Sequence, residues 1–284
     1  MIRILGTVFA ALLGLAFGSF LNVCLSRWPE GESIVSPRSH CRKCGRVLAW
    51  WENVPLISWI ALRGRCRGCG AWIGWRYPVV EAAVGASWAG IVWISFRAFM
   101  PLVFAGGMLL FTWILVALAA LDAEHLWLPD SLTIPSIAVG FVWWVIQREF
   151  IRRGLHMPFF TWDEGRRIGL RLLGILAAAA LILLIRWLYW LIRRREGLGL
   201  GDAKLMALFA AWLGFLGALL AFGIGVVLGA VLAVLILLVP GHPLQRERWA
   251  VLKMPLGTFL CIGGIISALW GQQIIAAYMR WAGF

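Results

Sequence analysis

Apolar residues run along this chain in long stretches, and short polar segments separate each stretch from the next. A helix needs about 18 or more apolar residues to cross a bilayer, and several stretches approach or exceed that length. The pattern therefore predicts an all-α polytopic membrane protein with about eight transmembrane helices. The predicted spans are 4–25, 79–95, 101–121, 132–146, 168–192, 205–216, 219–239 and 256–278.

The sixth and seventh predicted spans are separated only by Gly217 and Ala218. A single helix over 205–239 would be about 52 Å long at about 1.5 Å per residue, whereas a hydrocarbon core is about 30 Å thick. We therefore predict two helices joined by a tight hairpin turn at these two residues.

The first apolar stretch follows Arg3 and resembles a signal peptide in that respect. Its length and its lack of an Ala-x-Ala cleavage site favour a retained span. The polar segment that follows it carries nine Lys or Arg and the clustered cysteines. We therefore predict a first transmembrane helix (1–25), a small four-Cys zinc-knuckle domain (26–78), and a transmembrane domain of about seven helices (79–284).

Composition supports a membrane protein: 62% of the residues are apolar, only 14% are charged, and 19 are Trp. The net charge of +13 is explained by basic residues that flank spans and contact anionic headgroups of membrane lipids, so we expect no nucleic-acid partner. Sixteen Lys or Arg lie on the face of the cysteine domain and eight on the opposite face. This bias predicts a cytosolic cysteine domain, with both termini outside.

The cysteine cluster has the spacing of a closed metal site. Two C-x2-C pairs are separated by 21 residues and have Gly beside their second thiols, so two turns can direct four thiolates to one point. We expect structural Zn²⁺, because four protein ligands leave no open position for water. Two disulfides are the alternative, which would need an oxidising compartment. The predicted ligands are Cys41, Cys44, Cys66 and Cys69.

Carboxylates near the ends of predicted spans suggest function, because ionisable groups at membrane depth are costly. Asp122 ends the third span and Asp202 begins the sixth. Two spans separate them, so both lie on one face of the membrane, which is also that of the cysteine domain. Asp130 precedes the fourth span, and its default role is a helix cap or turn. Lys204 could hold a carboxylate, although a lipid headgroup is the favoured partner.

Asp122 and Asp202 would form an acid–base pair if they met. Two close carboxylates share one proton, so one can take a proton from water while the other donates to a scissile carbonyl oxygen. The alternative is that Asp202 caps its helix and Asp122 is a solvated helix end. We also expect Glu81 to be a helix-start carboxylate without a chemical role, and Cys24 and Cys261 to be packed in spans. Composition and spacing alone leave the activity open.

The residues resemble the bacterial type IV prepilin peptidase family over nearly the whole chain. The similar segments are GSFLNV (18–23) with Arg27 and Pro29, the paired C-x2-C motifs within PLISWIALRGRCRGCG, RYPVVE (76–81), D-x7-D ending in LPD (122–130), and GLGLGDAKL (197–205). Any one motif is weak, but their order is not expected by chance.

The resemblance implies a bifunctional enzyme of the bacterial inner membrane. It implies cleavage of the basic leader of type IV prepilins or type II secretion pseudopilins on the cytosolic side, then N-methylation of the new N-terminus with S-adenosylmethionine. Asp122 and Asp202 match the family's catalytic carboxylates. The segment between them is longer than expected, with an Arg-rich stretch at 147–167. A cation transporter or channel with a zinc-stabilised domain is the alternative, and an assembly factor without chemistry is a third.

Overall fold

A computed structural model describes residues 1–97, 102–154, 162–194, 199–238 and 255–283. Within these ranges the chain is helical and contains no β-strand, which confirms the all-α prediction; the short His40–Val47 and Arg65–Trp72 pairings are isolated antiparallel bridges. The α-helices are α1 (Ile2–Arg27), α2 (Ile57–Ala61), α3 (Arg76–Arg97), α4 (Leu102–His125), α5 (Asp130–Gly154), α6 (Trp162–Arg193), α7 (Leu200–Leu213), α8 (Phe215–Leu238) and α9 (Leu256–Trp281).

Seven of the described helices are long and apolar enough to cross a membrane, namely α1, α3, α4, α5, α6, α8 and α9. This confirms a polytopic membrane protein. The helix at the predicted sixth span, α7, has 14 residues, which at about 1.5 Å each make about 21 Å, less than a hydrocarbon core of about 30 Å.

The helix is interrupted between α7 and α8, as predicted, but three residues earlier than the predicted turn. Gly214 ends α7 with φ 85 and ψ 168, a backbone conformation that glycine adopts without steric cost. Gly217, at the predicted turn, lies inside α8, and its carbonyl accepts a hydrogen bond from the Ser267 hydroxyl at 3.0 Å. The predicted turn at Gly217 and Ala218 is therefore wrong.

The structure forms two compact units, Met1–Ala120 and Leu121–Phe284, here called unit 1 and unit 2. The division falls within α4, whose last residues belong to unit 2. The predicted domain boundaries, after residues 25 and 78, stay a prediction.

In unit 1, small residues bring α1 and α3 into close contact. Gly14 and Gly18 lie one turn apart on α1; a Cβ on Gly14 would lie 2.9 Å from the Gly85 Cα, and one on Gly18 would lie 2.7 Å from the Glu81 Cα. Spacing of this kind lets helix backbones approach each other in a membrane. The cysteine domain lies between α1 and α3 in the sequence. The close contact of these two helices therefore sets the distance between the first and last residues of the domain.

In unit 2, α7 lies at the centre and packs against α5, α6, α8 and α9. All residues from Leu205 to Trp212 are buried, and the Trp212 indole N–H donates to the Ser136 carbonyl on α5 at 3.0 Å. The Arg171 guanidinium on α6 donates to the Ala211 and Trp212 carbonyls at 3.0 Å, near the end of α7. Helices on several sides therefore fix α7, and with it the position of Asp202.

Candidate active site and metal centre

Asp122 lies in the last turn of α4 and is held by the first turn of α9. Its side chain is buried, and its Oδ2 accepts hydrogen bonds from the Thr258 backbone N–H at 2.7 Å and the Thr258 hydroxyl at 3.1 Å. The first N–H groups of a helix have no partner within the helix and carry a partial positive charge. The start of α9 is therefore a favourable place for this carboxylate.

Asp202 lies in the first turn of α7 and is also buried. Its Oδ2 accepts the Gly199 backbone N–H at 3.0 Å. Gly199, with extended backbone angles of −78 and 154, is the residue that precedes the helix. Asp202 therefore does cap its helix, as expected, but it does not open it: α7 begins at Leu200, and Asp202 caps it from the third helical position.

The structure brings Asp122 and Asp202 together within unit 2, close enough for their charges to interact. Cys261 is fully buried, and both carboxylates lie near enough for their charges to act on it. It follows Thr258 by three residues on α9, so both face the same side of that helix. Cys261 was expected to be a packed residue; it is packed, but beside the carboxylate pair.

Gly257 and Thr258 are contacts of this site that sequence reasoning missed. A Cβ on Gly257 would lie 2.9 Å from both Cγ and Oδ2 of Asp122, so glycine is what lets the carboxylate reach the start of α9. The one signal in the sequence was a Gly-Thr pair where the last span begins. Neither residue is charged, and nothing in the sequence links them to a residue more than 130 positions away.

Asp130 does not belong to the pair. It is the first residue of α5, its side chain is 59% exposed, and it forms an ion pair with Lys204. Lys204 therefore holds a carboxylate, the less favoured of its two expected roles, because the turn between Asp122 and α5 places Asp130 beside the start of α7. Its lipid-headgroup role stays a prediction. Glu124 and His125, also in this motif, are exposed.

The four predicted cysteine ligands do come together in unit 1. Their Sγ atoms all lie within 4.8 Å of one another, and the Cys41–Cys69 Sγ separation is 3.8 Å. Four sulfurs placed tetrahedrally at about 2.3 Å from one zinc ion would be about 3.8 Å apart. No disulfide joins them. The cluster can therefore hold a metal ion, and the donor set fits a tetrahedral one.

The two C-x2-C turns have the same backbone design. The Cys41 N–H donates to the Arg46 carbonyl at 2.9 Å, and the Cys66 N–H donates to the Ala71 carbonyl at 2.8 Å. Gly45 and Gly70 follow the second thiol of each turn with φ near +70, which favours glycine. Backbone hydrogen bonds, first of all from the Cys44 N–H, lower the pKa of the Cys41 thiol to about 6.

Glu52 connects the first cysteine turn to the segment that follows it. Its side chain is 1% exposed and accepts hydrogen bonds from the Ala49 N–H and from the Arg46 guanidinium, at 2.7 to 2.8 Å. These bonds hold the pKa of Glu52 below its usual value. Arg46 in turn lies against Gly68, where a Cβ would be 3.0 Å from its Cδ. The Arg46–Glu52 pair therefore fixes one turn relative to the other.

Comparisons with known proteins agree with this arrangement. Residues 12–95 match the bacterial peptidase A24 N-terminal domain, and residues 109–234 match the type IV leader peptidase family. Similar proteins named prepilin leader peptidase/N-methyltransferase include those of Pseudomonas aeruginosa (35% identical over 96% of this chain and 93% of the relative) and Stutzerimonas stutzeri (34%, 96% and 93%). The Dichelobacter nodosus protein is 34% identical over 95% of this chain and 93% of its own length. No solved structure matches. The chain belongs to the type IV leader peptidase family.

Proposed function

We propose that this chain is a membrane aspartyl endopeptidase that removes the leader peptides of type IV prepilins or type II secretion pseudopilins. The observation that carries the proposal is the meeting of Asp122 and Asp202, two buried carboxylates from different helices whose charges interact. Membership of the type IV leader peptidase family supports a peptidase role for this pair. The transporter or channel alternative gains no support from these relatives.

The hydrogen bonds of the pair leave one oxygen of each carboxylate available. Thr258 and Gly199 donate to Oδ2 of Asp122 and Asp202, respectively, and no described residue donates to Oδ1 of either. In the proposed reaction, one carboxylate takes a proton from water as the water attacks the scissile carbonyl carbon. The protonated partner donates its proton to the carbonyl oxygen. The Oδ2 contacts keep both side chains oriented during this exchange.

The cysteine cluster is proposed to bind structural Zn²⁺. The four thiols supply every ligand of a tetrahedral ion, so no position remains for a catalytic water. The ion would join the two cysteine turns, which are 21 residues apart in sequence. We propose that this domain faces the cytoplasm, since the spans predicted from the sequence assign sixteen Lys or Arg to its side of the membrane and eight to the other. The host would be a bacterial inner membrane, whose anionic lipids suit the net charge of +13.

A second activity is proposed from the names of the relatives, which are called N-methyltransferases as well as leader peptidases. The chain aligns with them along nearly its full length, including the cysteine domain. We propose that it methylates the new N-terminal amine of the cleaved pilin, with S-adenosylmethionine as methyl donor.

Cleavage of a purified prepilin by the detergent-solubilised protein tests the peptidase proposal. Asp122→Asn and Asp202→Asn should each lower the cleavage rate by about 10² to 10⁴, the range associated with loss of a general acid or base. Asp130→Asn is the matched control, because Asp130 lies in the same motif but is exposed and paired with Lys204. Wild-type rates in both Asp122 and Asp202 variants would refute the assignment, and a loss confined to Asp130→Asn would transfer it to that residue.

A further inference from the structure

Unit 1 contains a cavity of about 500 Å³ that the peptidase proposal does not use. It lies between the C-terminal half of α1, the cysteine domain and the first turns of α3. This volume is within the roughly 300–1,000 Å³ of typical small-molecule sites. Its wall contains charged, amide and aromatic side chains, including Asn22, Glu81, Trp59 and Lys43, so a polar ligand would fit better than an apolar one.

Glu81 is a buried carboxylate in this wall without a cationic partner. It is 6% exposed, its Oε2 accepts the Leu56 backbone N–H at 2.8 Å, and the Ser19 hydroxyl also donates to it. No described Lys or Arg forms an ion pair with it, whereas Glu52, in the same wall, is paired with Arg46. A buried charge that lacks a counter-charge is costly. A cationic ligand in the cavity would supply one.

Asn22 adds an unused hydrogen-bond acceptor to the same wall. Its side chain is 2% exposed, and its Nδ2 donates to the Tyr77 carbonyl at 3.0 Å, which fixes the orientation of the amide. Among the described residues its buried Oδ1 has no hydrogen-bond donor. A buried polar atom left without a partner is destabilising, because it has lost its hydrogen bonds to water. A ligand with an N–H group would satisfy this oxygen.

Trp59 provides a flat apolar surface in the wall. Its indole N–H donates to the Ile73 carbonyl at 3.1 Å, and its ring contacts Trp72 and Trp75 at centroid distances of 5.7 and 4.5 Å. These contacts hold the ring in place. An aromatic group of a ligand can pack on such a ring. In the part of the wall that the cysteine domain forms, Lys43 provides a positive charge for an anionic group.

We infer that this cavity is the binding site for S-adenosylmethionine, an inference that rests on the methyltransferase activity proposed above. The chemistry of the molecule matches the wall group by group. Its sulfonium is the cation that Glu81 lacks, its adenine amine is a donor for Asn22 Oδ1, its adenine ring suits Trp59, and its carboxylate suits Lys43.

The residues named here bind and orient; the transfer itself needs only the two reactants. The unprotonated N-terminal amine of the pilin forms a bond to the methyl carbon. The carbon–sulfur bond breaks with its electron pair left on sulfur, and the amine releases one proton to solvent. Because the sulfonium becomes neutral in this step, the attraction to Glu81 is present before transfer and lost after it. The spent donor should therefore bind less tightly to the Glu81 carboxylate than the fresh donor does.

Equilibrium binding of radiolabelled S-adenosylmethionine to the full-length protein in detergent tests the site. Glu81→Gln keeps the size of the side chain and an oxygen that can accept the Leu56 N–H, but removes the charge. We expect its Kd for the donor to rise about 10-fold or more, which corresponds to about 1.4 kcal/mol. Asp163→Asn is the control: Asp163 is an exposed carboxylate of unit 2, outside the cavity wall, and should leave the Kd unchanged.

A second measurement keeps the inference testable if Glu81→Gln folds poorly. Ultraviolet cross-linking of the labelled donor to the wild-type protein, followed by peptide mapping, should place the label on the segment that carries Trp59. Label only in unit 2, or equal Kd values for Glu81→Gln and Asp163→Asn in folded protein, would overturn the site. If the wild-type protein neither binds the donor nor methylates cleaved pilin, the proposed methyltransferase function fails instead. Leader cleavage and metal content show which preparations are folded.

Discussion

Gly257→Ala should disturb the carboxylate pair without removing any catalytic group. The added Cβ would lie 2.9 Å from both Cγ and Oδ2 of Asp122. Ordinary contacts of a Cβ begin at 3.4 Å, so Asp122 or the start of α9 must move by about 0.5 Å. The same Oδ2 accepts both hydrogen bonds from Thr258. Any such movement therefore lengthens the two contacts that orient this side chain.

The expected loss of rate follows from these contacts. Hydrogen bonds to a charged group contribute about 1.5–3 kcal/mol each, and overpacking of a tight site costs about 1–3 kcal/mol. If the lost contacts raise the activation free energy of cleavage by about 1.4–2.7 kcal/mol, the cleavage rate drops about 10-fold to 10²-fold. Stability should change less, because alanine favours a helix over glycine by up to about 1 kcal/mol.

Initial rates of prepilin cleavage by wild-type protein, Gly257→Ala and Gly223→Ala measure this effect. Gly223, on α8 of the same unit, is the matched control, since a Cβ there meets no atom within 4 Å. Gly223→Ala should cleave at the wild-type rate. Equal rates for the two variants would refute the reasoning that Gly257 positions Asp122, and a fall in thermal stability equal to the fall in activity would assign the effect to folding.

Two further predictions concern unit 1. Cys44→Ser removes one of four thiol ligands, so purified protein should contain less than stoichiometric zinc by metal analysis; full zinc content in this variant would contradict the four-thiolate site. Gly18→Ala places a Cβ 2.7 Å from the backbone of α3. It should lower the melting temperature, because overpacking reduces the free energy of unfolding by about 1–3 kcal/mol. Gly74→Ala, which meets nothing within 4 Å, should leave it unchanged; equal melting temperatures would argue against close α1–α3 packing.

The sequence was sufficient for the features that depend on local pattern. Long apolar stretches require helices in a membrane, because only a helix satisfies its own backbone groups there. Paired C-x2-C turns bring their thiols together by short-range geometry, and the four cysteines do meet. Counting spans placed Asp122 and Asp202 on one face, and the structure brings them together. Each inference used residues near in sequence or the direction in which successive helices cross.

Features that depend on packing between distant helices were not predictable. The helix ends at Gly214 and not at Gly217. Gly214 leaves the helical backbone conformation, whereas Gly217 stays helical and its carbonyl accepts a hydrogen bond from Ser267. Lys204 pairs with Asp130, which is 74 positions away, and hydropathy cannot identify such a partner. Both outcomes depend on how α5, α8 and α9 pack in unit 2.

Glu81 shows most clearly why a residue's pattern can hide its environment. In the sequence it is a carboxylate near the start of a span, where helix ends commonly carry negative charge. In the structure α3 begins at Arg76, so Glu81 lies in the second turn, and Gly18 of α1 packs against its backbone. With α1 and α3 in this contact, the Glu81 carboxylate is buried and lines the cavity together with Asn22. A buried carboxylate without an ion-pair partner is stabilised when a cation occupies the cavity. The packing of α1 against α3 therefore leads to the inference that the cavity binds a cationic ligand.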